Sequence, residues 1–164
     1  MRRPLTLLFA LALLPAAAGC DSGEPGGPNG GACADGSMTA TANGQAFTAE
    51  CVQIDISNGL LTIAGITNFD GSDGPTQRQI NIGGAQAQVG TQAPITATYA
   101  EIDLNDPQAA LTCSASPIPG AGSVTLTIDA IGDDSAKGSF SFTALCPNNG
   151  SSVTVTSGQF DIAK

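Results

Sequence analysis

The stretch "GSVTLTIDAIGDDSAKGSFSFTALC", residues 122–146, decides the fold. Its first part alternates. Val124, Leu126 and Ile128 fall on one side, and Ser123, Thr125, Thr127 and Asp129 on the other. A period of two is that of a strand with one face in a core. A polar turn follows, and then Phe140, Phe142, Ala144 and Cys146 share one parity. Residues directly opposite in an antiparallel pair share a face. Both runs put their even-numbered residues on the core face, which an odd-length loop allows. A three-residue loop at Asp134, Ser135 and Ala136 fits, and it predicts Val124 opposite Cys146 and Lys137 opposite Asp133.

The same alternation, cut by Gly, Asn, Asp and Pro, runs from residue 37 to the end, with no sustained helical period. Asn43-Gly44 separates "MTATA" from "QAFTAEC" and predicts a hairpin with a two-residue type I′ turn. That register sets Ala40 opposite Phe47 and Gly36 opposite Cys51. In two places the core parity changes: Phe47, Ala49 and Cys51 give way to Val52, Ile54 and Ile56, and Ile95, Ala97 and Tyr99 to Ile102 and Leu104. A strand that keeps its core face across such a shift needs a bulge or bend. The expectation is an all-β domain, an antiparallel β-sandwich or flattened β-barrel of about nine strands. These lie near 38–42, 45–56, 60–67, 78–83, 94–103, 109–115, 122–131, 137–145 and 153–162.

The N-terminal segment has the parts of an export signal. Arg2 and Arg3 precede the apolar run Leu5–Leu14, Pro15 ends it, and small residues follow. As a helix this run would span roughly 15 Å, about half a bilayer's hydrocarbon thickness. Ala17-Ala18-Gly19-Cys20 resembles the lipobox of bacterial lipoproteins, in which the Cys becomes the acylated first residue; Ala17 stands where that pattern usually has Leu. Residues 21–36, "DSGEPGGPNGGACADG", hold six Gly and two Pro and read as a flexible tether. The expected organisation is a lipoprotein signal peptide at 1–19, a lipidated Cys20 with its tether at 20–36, and a single β-domain at 37–164.

The chain has five cysteines. With Cys20 given to lipid, Cys33, Cys51, Cys113 and Cys146 remain. An even remainder in an exported protein reads as two disulfides. Three pairings are open to four cysteines. The Asn43-Gly44 register brings Cys33 near Cys51 and favours that bridge, which leaves Cys113 with Cys146. Each would contribute roughly 3 to 4 kcal/mol by restricting the unfolded chain.

The segments "MTATANGQAFTAE" (38–50), "LTIAG" (61–65), "KGSFSFTA" (137–144) and "VTVTSGQFDI" (153–162) resemble a family of bacterial lipoprotein domains of unknown function. Its members open with an "MTA-x-x-NG" hairpin and end with "G-x-FSFTA" and "T-x-G-x-FD". Where members often carry Trp after the hairpin turn, this chain has Phe47. The resemblance implies an exported all-β domain and carries over no active-site residue.

Composition narrows the chemistry. There is no His, which removes the commonest general base, the Ser-His-Asp arrangement and most transition-metal sites. Paired cysteines cannot act as nucleophiles. There is no Trp and only one Tyr, so a stacking platform for bases or sugars is poorly supplied. Beyond residue 20 the basic residues are Arg78, Lys137 and Lys164, against fourteen acidic ones. Such a surface repels nucleic acid. Two segments offer hard oxygens of the kind calcium takes: Glu101, Asp103, Asn105 and Asp106, and the Asp70–Asp73 loop. In both, a solvated strand face or hairpin turn is the favoured reading, so no metal and no cofactor are expected.

The expected function is that of a non-enzymatic, monomeric module. The lipid on Cys20 holds it to the bacterial cell envelope, at the outer membrane or cell surface in preference to the inner membrane. Its partner would be an envelope or extracellular protein or a glycan. The alternative is a β-barrel carrier of a small apolar ligand, and a third reading is a hydrolase using two carboxylates.

Overall fold

The computed structural model describes residues 32–93 and 95–164. Cys20, the leader and the tether up to Gly31 lie outside these residues. The described chain is all β: β1 (Asp35–Ala42), β2 (Gln45–Thr48), β3 (Cys51–Ser57), β4 (Leu60–Ile66), β5 (Thr76–Gln86), β6 (Gly90–Gln92), β7 (Thr96–Asp103), β8 (Asp106–Ala115), β9 (Ser123–Ile131), β10 (Ser135–Cys146) and β11 (Ser151–Ala163). Among the described residues no helix is long and apolar enough to cross a membrane.

The hydrogen-bonded path runs β2-β1-β11-β10-β8-β7-β5-β4-β3, with β9 paired to β10 and to β6. Its two ends, β2 and β3, are joined by only Ala49 and Glu50. They are halves of one kinked strand. β6 pairs with β9, and β7 with β8. The sheet therefore wraps round on itself as a flattened barrel, in which β8 and β9 follow one another along the same side of β10. One end, the mouth, carries the Asn43-Gly44 turn, the loop after β4, the β7–β8 turn and the β10–β11 turn. The other, the root, carries the first described residues, the β9–β10 turn and Lys164, whose amide bonds the Asp134 carbonyl at 2.9 Å.

Several expected registers differ. The β9–β10 hairpin closes over Asp133-Asp134, with the Gly132 amide bonding the Ser135 carbonyl at 2.8 Å. Lys137 faces Ala130, then Gly138 faces Ile128, so Asp129 is bulged out. The parity that an odd loop would have supplied comes from an even turn plus one extra residue in β9. In consequence Val124 faces Phe142 rather than Cys146. Lys137 faces Asp161 on its other side, and its ammonium is 2.8 Å from that carboxylate.

At the first hairpin Asn43 and Gly44 both have positive φ, 48° and 81°, as the type I′ turn requires. Ala40 faces Phe47 as expected. Gly36 faces Ile162 of β11 instead of Cys51, because pairing with the kinked strand lapses and resumes one residue out of register at Ala34 and Val52. Asp35 and Gly36, read from sequence as the end of the tether, lie in β1. Eleven strands replace about nine, because 45–56 breaks at its phase shift and the short polar β6 has no apolar alternation to reveal it. The second phase shift is a slip in β7–β8 pairing between Glu101 and Asp103.

Both disulfides, Cys33–Cys51 and Cys113–Cys146, are present. Each sits at a thin seam of the wall. β1 meets β3 through the single bridge Ala34–Val52, and β8 meets β10 through the single registered pair Ser114–Leu145.

The interior is filled by one cluster that includes Phe47, Ile63, Ile80, Ile82, Leu126, Ile128 and Val155, each at most 1 % exposed. Phe140 and Phe160 pack across two glycines. Gly138 is paired with Phe160, and Gly158 with Phe140. A Cβ on Gly158 would stand 2.5 Å from the Phe140 ring and 2.6 Å from its carbonyl oxygen. A Cβ on Gly65 would meet the Met38 thioether at 2.6 Å, the far end of a flexible side chain.

Gly158→Ala is accordingly expected to destabilise the protein by about 1–3 kcal/mol and Gly65→Ala by less, since only the latter's neighbour can turn aside; urea unfolding checks the order. Replacing Cys113 and Cys146 together by Ala should cost about 2–5 kcal/mol. Amide exchange should then rise first at Ser114 and Leu145.

Candidate functional site

The sequence alternates across "RQINIG", residues 78–83, with Ile80 and Ile82 on the core face. Arg78 shares their parity. It is therefore the inward-facing residue nearest the mouth of β5, and its cation cannot be buried in the apolar stack below. It lies half-buried at the floor of a cup of about 620 Å³ in the barrel mouth. Its guanidinium sits 6.0 Å from the centre of the Phe47 ring, and Nη2 donates to the Ala46 carbonyl at 3.0 Å. Across the ladder Arg78 faces Glu101.

Glu101 Oε2 accepts a 3.0 Å hydrogen bond from the Tyr99 hydroxyl. The Tyr99 side chain is only 4 % exposed. Burial, then the Glu101 charge and its hydrogen bond, hold the Tyr99 phenol protonated up to about 12; Arg78 pulls the other way. Glu50 and Asp73 also line the cup. Glu50 Oε2 accepts the Phe69 amide at 2.8 Å, which ties the loop after β4 to the kink between β2 and β3.

That loop is built on Asn68. Its side chain is 3 % exposed and its φ is +49°. Nδ2 donates to the Gly74 carbonyl at 2.7 Å and the Thr76 carbonyl at 3.1 Å, while Oδ1 accepts the Asp73 amide at 2.8 Å. Asn tolerates this left-handed backbone better than most residues. The buried amide fixes the loop at one side of the mouth.

The acidic segments singled out in the sequence are turns. Asp103 Oδ1 accepts the Asn105 amide and Asp70 Oδ1 the Ser72 amide, each at 2.9 Å. The Ser72 hydrogen bonds also hold the Asp70 carboxyl below its ordinary range. Asp103 pairs with Asp106 across the turn, while Glu101 borders the cup. No group of three His, Cys, Asp or Glu among the described residues could hold a metal ion. Glu50, Asp73 and Glu101 share the cup, and all three are exposed to solvent. The four paired cysteines lie away from solvent contact except Cys33, at the root. Sequence reading did not single out Arg78, Glu50, Asn68 or Tyr99. The signal for Arg78 was present in its parity with two core isoleucines.

Tyr99 is the sole tyrosine and there is no Trp, so tyrosinate absorbance reports this site alone. Its midpoint in the folded protein should lie near about 12 and drop by about two units on unfolding in urea. A folded midpoint at the ordinary value would show that the hydroxyl is not held as described. The folded state keeps a proton that the unfolded chain loses above pH about 10, so stability should fall as pH climbs from about 10 toward about 12. Tyr99→Phe should remove that part of the decline.

No curated protein and no solved structure matches this chain. A family model described as a domain of unknown function matches residues 34–162, a span that starts just before β1 and ends within β11. The chain belongs to this family, DUF6252.

Proposed function

We propose that the protein is a non-enzymatic lipoprotein of the bacterial cell envelope, acylated at Cys20 and tethered at the outer membrane or cell surface. One observation carries the reading. The four cysteines of the domain pair with one another, which leaves Cys20 as the single odd sulfur. It follows an apolar run, Pro15 and four small residues. An odd cysteine in an exported chain calls for a use, and thioether acylation supplies one. Two or three acyl chains bury dozens of methylenes at about 0.8 kcal/mol each, enough for stable anchoring.

Geometry supports the same reading. Residues Ala32–Ala34 join the barrel at its root, so the segment that would carry the lipid enters at the end opposite the mouth. The cup carries no His, no reactive thiol and no buried carboxyl. A structural or interaction module, acting as a monomer on another envelope or extracellular component, fits these features.

Intact-mass measurement on the membrane fraction tests this. The expected mass is that of a chain beginning at Cys20, increased by a diacylglyceryl group and an amide-linked acyl chain. Reduction and thiol labelling should then reveal four new thiols. Cys20→Ser should release the protein from membranes. A soluble chain that keeps Met1 and carries five labelled thiols would overturn the reading.

A further inference from the structure

We infer that the barrel mouth is a socket for an extended, cationic peptide strand, which adds to the open edge of β2. The inference goes beyond anchoring, and its chemistry does not depend on acylation. In the β2–β3 strand, odd-numbered residues bond toward β1: the register sets Gln45 against Ala42 and Phe47 against Ala40, and the Ala49 amide bonds the Met38 carbonyl at 2.9 Å. Even-numbered residues bond the other way. The Glu50 amide reaches the Ile66 carbonyl of β4 at 2.9 Å.

There β4 ends. Its next residue turns toward β5, with the Thr67 amide on the Arg78 carbonyl at 2.9 Å. At Ala46 and Thr48 the place that β4 would occupy holds no strand, and β2 pairs with β1 alone. The wall has a notch one short strand long. Ala46 and Thr48 are both exposed and line the cup. The Ala46 carbonyl is taken by Arg78, which leaves the amides of Ala46 and Thr48 and the Thr48 carbonyl facing the notch. Unpaired edge groups of this kind are a template for strand addition.

Charge selects the occupant. Glu50, Asp73 and Glu101 rim the notch, and among the described residues the single side-chain ion pair is Lys137–Asp161, far from it. The one cation of the cup is held on the Phe47 ring and the Ala46 carbonyl. An incoming strand with Lys or Arg at alternate positions would place those groups among three carboxylates, and an acidic strand would be repelled.

The test uses the isotope-labelled full chain in detergent and three blocked hexapeptides. The first alternates lysine and valine. The second alternates glutamate and valine. The third is the lysine peptide N-methylated at the residues that would bond the edge. The lysine peptide should shift the Ala46, Thr48 and Glu50 amides saturably. It should bind at least tenfold more tightly than either other peptide. Combined Glu50→Gln and Glu101→Gln should weaken it about tenfold with the unfolding midpoint nearly unchanged. Equal binding of the N-methylated peptide would overturn strand addition, equal binding of the glutamate peptide would overturn the charge argument, and shifts confined to the root, or none, would overturn the site.

Discussion

The barrel depends on an exchange between two strands. β10 offers Gly138 and Phe140, β11 offers Gly158 and Phe160, and each phenylalanine pairs with the other strand's glycine. No Cβ fits at either glycine: one on Gly138 would strike the Thr127 carbonyl and stand 2.8 Å from the Phe160 ring. The rings therefore cover backbone that would otherwise carry no side chain, a known way of stabilising glycine in a curved sheet. The Phe140 and Phe160 ring centres lie 6.5 Å apart. In a chain without Trp, these rings supply much of the large apolar volume. The consequence reaches beyond one hairpin. β11 pairs with β1 as well as β10, and its bulge beside Gly158, where Ser157 has φ +53°, shifts the register on both sides. The bulge bends β11 at the point where it must carry the wall from β10 round to β1.

A wall bent this way has weak joints, and the sulfur is placed at them. Long ladders join β10 to β11, β4 to β5 and β5 to β7. Two seams have almost no ladder: β1–β3 and β8–β10. Both are crossed by a disulfide, closing loops with sequence separations of 18 and 33 residues. Cross-links at well-paired seams would duplicate what hydrogen bonds already hold. At thin seams they oppose local opening, which starts where backbone bonds are few. Cysteine placement and strand irregularity are in this sense one feature of the fold.

The all-β class, the Asn43-Gly44 turn and its Ala40–Phe47 pair were legible because each follows from short-range pattern; the Cys33–Cys51 bridge followed from that hairpin, and Cys113–Cys146 by elimination. What escaped were single-residue insertions. A bulge at Asp129 and a three-residue loop shift parity equally, and only the sheet distinguishes them. Val153 and Val155 differ in parity from Phe160 and Ile162, all four are buried, and the change marks the β11 bulge. β6 is short and polar, and it is a strand only because β9 lies beside it. The cup was hidden for a related reason. Glu50 and Arg78 are separated by a whole hairpin, and they meet because β4 stops where it does. Asn68 reads as one more turn residue until its two carbonyl partners, Gly74 and Thr76, are seen.

Closing a sheet into a barrel normally removes its edges, and with them the hazard of edge-to-edge pairing. This barrel closes through a kinked strand, so the edge survives over the few residues of β2. The fold treats that remnant as an exposed edge needs to be treated. Arg78, the one basic residue on β5, donates to an edge carbonyl and lies against Phe47, which blocks part of the template while keeping its charge near water. The other charged groups of the rim, Glu50, Asp73 and Glu101, are carboxylates, which discourage the neutral, apolar strands that drive aggregation. The same short gap is thus a liability of the topology and the feature that distinguishes the mouth from the root. Both follow from β4 ending at Ile66, opposite Cys51, while the strand it flanks runs on to Gln45.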